Sequence, residues 1–195
     1  MIRYVLISFI FLFGISCADK TKKSSKDTAT TQAVENSVSD VDQNSTETQE
    51  KILLGIQSRE ALEEAPYKEW FDENYNDYKV DKETLEAIKP LLEGMNIKIF
   101  MGTWCSDSQH QVPVFFNIMD KAGYSYDDFT LITMSRDKTT PANLEKGLNI
   151  INVPTIIFYK DGKEMNRIVE YPIHTMEEDM LQILQGKDYK NPYAE

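Results

Sequence analysis

The sequence predicts an α/β fold of three layers, a central mixed sheet flanked by helices, with a helical extension on its N-terminal side. Three observations lead there. An apolar run, Ile97-Lys98-Ile99-Phe100-Met101, passes through a tight turn at Gly102-Thr103 into a segment with Val112, Phe115, Phe116 and Met119 on one helical face. Asp161-Gly162 sits between two further strand-like runs, the dipeptide that closes a two-residue hairpin. Strand and helix periods alternate up to that hairpin and a last helix follows it, an order that points to an α/β domain with a mixed sheet.

The chain has 195 residues, 41% of them apolar and 11% aromatic, enough for one buried core. The N-terminal part does not share that composition. Residues 1–16 carry a single charge, Arg3, then the apolar run from Tyr4 to Phe13, and small residues lead to Cys17. The run falls short of the roughly 20 apolar residues that span a bilayer, so it reads as an export signal. Gly14-Ile15-Ser16-Cys17 resembles the end of a bacterial lipoprotein signal, although Gly14 stands where that pattern has leucine. The resemblance implies cleavage before Cys17, lipidation of that residue and anchoring to a membrane of the bacterial cell envelope, with the domain outside the cytoplasm. A plain secretory signal and an uncleaved anchor are the alternatives.

Residues 17–50 complete the N-terminal part. From Ala18 to Glu50 the chain is rich in Ser, Thr, Lys, Asp, Gln and Asn with no aromatic residue, and it cannot bury enough surface to offset its ordering entropy. It reads as a tether. Losing residues 1–16 would take the formal net charge of −11 one unit further negative, and no basic stripe interrupts the acidity. Nucleic acid is excluded as a partner, because phosphate contacts are made by clustered Lys and Arg.

Residues 51–94 read as the helical extension. Tyr67, Trp70, Phe71, Tyr75 and Tyr78 fall mostly on one helical face, as a packing stripe or, alternatively, as an exposed aromatic surface for a partner. Asp81 is the N-cap of a second helix carrying Leu85, Ile88, Leu91 and Leu92 to Gly94, weakened or bent at Pro90. Residues 95–195 form the core domain. After the strand-turn-helix unit come a strand at Leu131–Met134, a short helix opened by Thr140-Pro141, a strand at Val153–Tyr159, the hairpin, and a strand around Asn166–Glu170. Thr175 with Glu178 makes a capping box for a final helix through Met176, Met180, Leu181, Ile183 and Leu184 to Gly186.

The chemistry converges on Thr103-Trp104-Cys105-Ser106-Asp107-Ser108. The chain has two cysteines, and with Cys17 lipidated Cys105 is the one remaining thiol, which leaves intermolecular pairing or a free reactive thiol. Cys105 falls at a helix N-terminus, where free N–H groups and the helix dipole favour the thiolate that acts as nucleophile. Ser108, one turn on, faces the same side and could donate a hydrogen bond to it. Asp107 suits the helix end but opposes a neighbouring thiolate.

With Pro113 eight residues after Cys105, Val153-Pro154-Thr155, and the Asp161-Gly162 hairpin, this segment resembles the active site of the thioredoxin family, with serine in place of the second cysteine. The resemblance covers residues 95–186. It implies a cis bond at Pro154 placed against Cys105, with Val153 backbone groups available to an extended substrate; Trp104 either contacts that substrate or covers the helix end. It also implies what is missing: Ser108 cannot resolve a mixed disulfide, and Ile99 stands where the family places a carboxylate six residues before the nucleophile.

His110 lies about 140° around the helix from Cys105 and reads as a surface residue rather than a base. Neither it nor His174 has a partner at metal-ligand spacing, so no metal and no cofactor is expected. A peroxiredoxin-like peroxidase is disfavoured, because Thr103 is two residues before Cys105 and not three. Two functions remain open. One is monothiol thiol-disulfide exchange, as an isomerase or reductase, through Cys105 with Ser108, acting on protein or low-molecular-weight thiols and disulfides. The other is a redox-inactive binding or structural module that keeps the fold.

Overall fold

The computed structural model describes residues 51–194. The signal, Cys17 and the whole of the tether lie outside the described residues. Five strands make one sheet: β1 Gly55–Gln57, β2 Met95–Met101, β3 Phe129–Thr133, β4 Thr155–Lys160 and β5 Lys163–Val169, in the order β1-β3-β2-β4-β5. β2 runs parallel to β3, and the other three pairings are antiparallel. Four helices complete the domain: α1 Lys68–Asp77, α2 Lys82–Ile88, α3 Ser106–Ala122 and α4 Met176–Leu184.

The two-residue period of a strand sends alternate side chains to opposite faces. On one face Ile97, Ile99, Met101, Leu131, Ile156 and Phe158 meet apolar residues of all four helices, forming the main core. On the other, Phe100, Ile132 and Ile157 join Met134 and Val153, with Leu144, Leu148 and Ile150 packed against them. The second face is therefore covered by the segment 135–152, which runs as turns and not as the helix expected from Thr140-Pro141. Thr140 does act as a cap, its Oγ1 accepting from the Leu144 amide at 2.8 Å. The helix fails because Asn143, Gly147 and Asn149 hold φ of 53°, 80° and 51°, each in the left-handed region that ends a right-handed turn.

The extension packs as helices and adds a strand that its sequence did not announce. Phe71 of α1 is 2% exposed and lies 6.0 Å, ring to ring, from both Tyr75 and Phe116 of α3, so much of the aromatic stripe is packing. α2 begins where Asp81 accepts from the Thr84 amide and gives way at Pro90 to a 3-10 turn, Lys89–Leu91. β1 is only three residues long, too short for a period to show. Asp161 and Gly162 have φ of 51° and 74°, the paired left-handed values of a type I′ turn. At the end of the chain the Thr175–Glu178 capping box is formed, and Tyr189 folds back, its hydroxyl donating to the buried Asp179 at 2.8 Å.

Candidate active site

Cys105 is the N-cap of α3, with its carbonyl accepting the first helical hydrogen bond from Gln109 N at 2.9 Å. The turn leading to it is fixed from three sides. Cys105 N donates back to Gly102 O at 3.0 Å, Gln109 Nε2 donates to Thr103 O at 2.7 Å, and the Leu53 amide donates to Thr103 Oγ1 at 3.4 Å. Trp104 folds its indole over Gly102 and donates from Nε1 to Met134 O at 2.9 Å. A Cβ at residue 102 would stand 2.5 Å from that ring, so only glycine fits.

The Val153–Pro154 peptide is cis, and Cys105 Sγ lies 3.2 Å from Val153 O, where a protonated thiol donates. Trp104, Cys105, Val153 and Pro154 are thus brought to one place. Ser108 is fully buried, and its hydroxyl accepts from the Gly102 amide at 3.2 Å. It stabilises the turn beneath the thiol. Ile99 is fully buried in the main core, between Leu131 and Ile156 of the neighbouring strands. His110 is exposed and hydrogen-bonds through Nδ1 to Asn74 at 2.6 Å, and His174 is exposed before α4, so neither joins the thiol.

Several residues of this region carry no motif. Glu170 N donates to Pro154 O at 2.7 Å, and its own φ is 65°. Burial and the nearby charge of Asp107 push its carboxyl above the usual glutamate range, with Lys138 opposing them. Tyr193, from the C-terminal segment, donates its hydroxyl to Glu170 Oε2. The Arg136 guanidinium sits 5.2 Å from the Trp104 ring. Only the left-handed backbone at Glu170 is a local property, and no sequence signal for it exists in a glutamate. Among the described residues no three His, Cys, Asp or Glu side chains are placed to hold a metal ion.

Mixed five-stranded sheet, cis-proline loop and helix-capping cysteine together define a thioredoxin-like domain. Comparison with sequence families matches residues 55–185 to thioredoxin, two thirds of the sequence, and the chain belongs to that family. The match begins at β1, so the helical extension from residue 55 onward lies within the family's span.

Among solved structures, a Pseudomonas aeruginosa protein of unknown function aligns with a TM-score of 0.50 at 14% identity, over 63% of this chain and 86% of its own. Thioredoxin O1 of Arabidopsis thaliana in its oxidised state aligns with a TM-score of 0.35 at 24% identity, over 54% of this chain and 93% of its own. Mitochondrial thioredoxin 3 of Saccharomyces cerevisiae aligns at 0.30 and 19% identity, over 49% and 86%. The search of curated proteins gives no match.

Proposed function

We propose that this protein is an exported, lipid-anchored thioredoxin-family member that performs monothiol thiol-disulfide exchange through Cys105. The observation that carries the reading is the position of Cys105 as the N-cap of a 17-residue helix, its sulfur 3.2 Å from the carbonyl preceding cis-Pro154. The thiolate attacks one sulfur of a substrate disulfide. A bond forms between Cys105 Sγ and that sulfur, the substrate S–S bond breaks, and the departing thiolate takes up a proton. Cys105 is the one free thiol among the described residues, so the second step belongs to another molecule. An external thiol, or a second cysteine of the substrate, attacks the mixed disulfide and returns Cys105 to the thiol. Trp104 and Val153-Pro154 form the surface on which the substrate lies, and lipidated Cys17 holds the domain at the cell envelope.

One observation favours a redox-inactive binding module instead: Ser108 is committed to the Gly102 amide, and Ile99 fills the core where a proton-transfer carboxylate would stand. A single experiment separates the two. The full chain carrying Cys17→Ala is exposed to glutathione disulfide and to a disulfide-bonded protein, and adducts are read by mass. Exchange gives an adduct that Cys105→Ser abolishes and excess thiol releases. Absence of any adduct would leave the binding module. For the anchor, the unsubstituted chain expressed in bacteria should incorporate labelled fatty acid and sediment with membranes, and Cys17→Ser should do neither. Equal labelling of the two chains would refute lipidation.

A further inference from the structure

Away from the thiol, the α1–α2 linker, α2 and the last turn of α3 enclose an open hollow of about 690 Å³, lined by Lys79, Val80, Lys82, Leu85, Glu86 and Lys121. Lys121 lies at the far end of α3 from Cys105, about 24 Å along the helix axis, so the hollow has no part in disulfide exchange. We propose that it binds an anionic amphiphile, an acyl chain ending in a carboxylate, with the chain on the apolar floor and the carboxylate among the lysines. The site stands whether or not Cys105 is redox-active.

Its floor is the edge of the main core. Leu85 is a buried member of that core, and Val80 packs against it. Lys82, Leu85 and Glu86 fall at i, i+3 and i+4 of α2 and so share one face. All three lysines are exposed, and their methylene stems extend the apolar wall while the ammonium groups stay in water. The volume is that of a small-molecule site. Because the floor is recessed, no apolar side chain projects from it to enter a bilayer, whereas a single chain laid into the hollow covers it.

Charge decides the kind of ligand. The hollow is cationic in a chain whose formal net charge is −11. Other basic groups of the domain are matched by carboxylates: Arg59 by Glu63 and Asp120, Lys68 by Asp72, Arg167 by Glu164. Lys82 and Lys121 make no ion pair among the described residues, and Lys79 uses one of its three donors on Asn76 O at 3.2 Å. Glu86, the one acid of the lining, already accepts from Lys89 Nζ at 2.5 Å. Asp81, between Val80 and Lys82, accepts from the Thr84 amide at 2.8 Å, and exposed Glu83 is not part of the lining. Unmatched positive charge beside buried hydrocarbon calls for a negative head on an apolar tail. A small inorganic anion would leave the floor uncovered, and an uncharged lipid would leave the lysines unmatched. An acidic peptide carries both features, but these lysines close on one hollow rather than along a strand edge, which suits a single chain end.

The test uses the full chain with Cys17→Ala, so that no acyl group of its own competes, and reads binding by calorimetry and by amide chemical shifts. Dodecanoate should bind at one site and shift the amides of residues 79–86 and 118–122, leaving those around Cys105 in place. Decanoate, shorter by two methylenes, should bind about tenfold more weakly. Added salt should weaken both, and dodecyltrimethylammonium should not bind there. Lys82→Gln combined with Lys121→Gln should weaken dodecanoate about tenfold, while Lys82→Arg combined with Lys121→Arg should keep the affinity. Both lysines are exposed, and unchanged amide shifts elsewhere report that the fold is intact. Equal binding of the anionic and cationic amphiphiles, or full affinity in the double glutamine variant, overturns the site. So does binding at these residues by an acidic Leu- and Val-containing peptide, or by phosphatidylglycerol vesicles, where dodecanoate fails to bind: the first gives the surface to a protein partner and the second to a membrane.

Discussion

Asp120 ties the extension to the rest of the domain. Its carboxylate accepts both contacts from Arg59 Nη1, at 2.9 and 2.7 Å, and the hydroxyls of Tyr75 and Tyr126 at 2.7 and 2.6 Å. The guanidinium in turn lies over Phe71, Tyr75 and Phe116, 4.9 to 5.7 Å from their centroids, so the ion pair sits on an aromatic floor. Burial opposes ionisation of Asp120, but the tyrosine hydroxyls and Arg59 outweigh it and hold the carboxyl below the usual aspartate range. A carboxyl lowered on folding stabilises the native state fully above its unfolded pKa, about 3.9. That contribution is lost as pH falls through the lower native value. Asp120→Asn should therefore cost about 2 kcal/mol at pH 6, and the gap to the unsubstituted protein should narrow below about pH 4. Urea unfolding at pH 6, 4 and 3 measures it, and a gap independent of pH would show that the charge of Asp120 contributes nothing. Asp81, Glu60 and Glu145 are lowered too, through hydrogen bonds to nearby backbone and hydroxyl groups, and they give both proteins a common slope that cancels in the comparison.

Elements whose ends are written in local chemistry were legible in the sequence. The capping box of α4 is one: Thr175 Oγ1 accepts from Glu178 N at 3.3 Å, and Glu178 Oε2 accepts from Thr175 N at 3.1 Å. Thr175→Ala should lower stability by about 1 kcal/mol and Thr175→Ser should recover most of it. The urea midpoint should shift with the slope unchanged; an unshifted midpoint for Thr175→Ala would mean that α4 is held by packing alone. Asp81 and Asp161-Gly162 were legible for the same reason. The failures come from longer range. β1 exists because Gly55, Ile56 and Gln57 find Thr133, Ile132 and Leu131 some 75 residues on, and three residues carry no pattern of their own. Thr140-Pro141 carries a sound start signal, but nothing local revealed that Asn143 and Asn149 would turn left-handed over an apolar sheet face. The site divides likewise: Trp104, Cys105 and Pro154 stand in recognisable order, whereas Glu170 and Tyr193 reach it only through the folded C-terminal segment.

At the scale of the whole molecule the two faces of the sheet are unequal. One lies under four helices, and the other is covered by a layer of turns from which Val153 and Pro154 emerge to meet Cys105. Turns carry few internal backbone hydrogen bonds, so this layer depends on its three apolar contacts, Leu144, Leu148 and Ile150, and on tethers from the sheet. Arg167 is such a tether, its Nη1 donating across to Leu148 O while Glu164 holds the rest of the guanidinium. Segments held by few contacts open locally, at a free energy below that of global unfolding. Arg167→Ala removes a charged donor worth roughly 1.5 kcal/mol to Leu148 O, which corresponds to about a tenfold rise in local opening. Amide hydrogen exchange should accordingly quicken about tenfold across residues 146–152, with β2 and α3 amides little changed because their exchange requires the main core to open. A uniform acceleration over every element would mean instead that Arg167 contributes to global stability. Because the loosened segment leads into the cis-proline loop, the same variant should also slow reaction of Cys105 with a peptide disulfide more than its reaction with iodoacetamide. The peptide needs Val153 in place; the alkylating agent needs only the thiol.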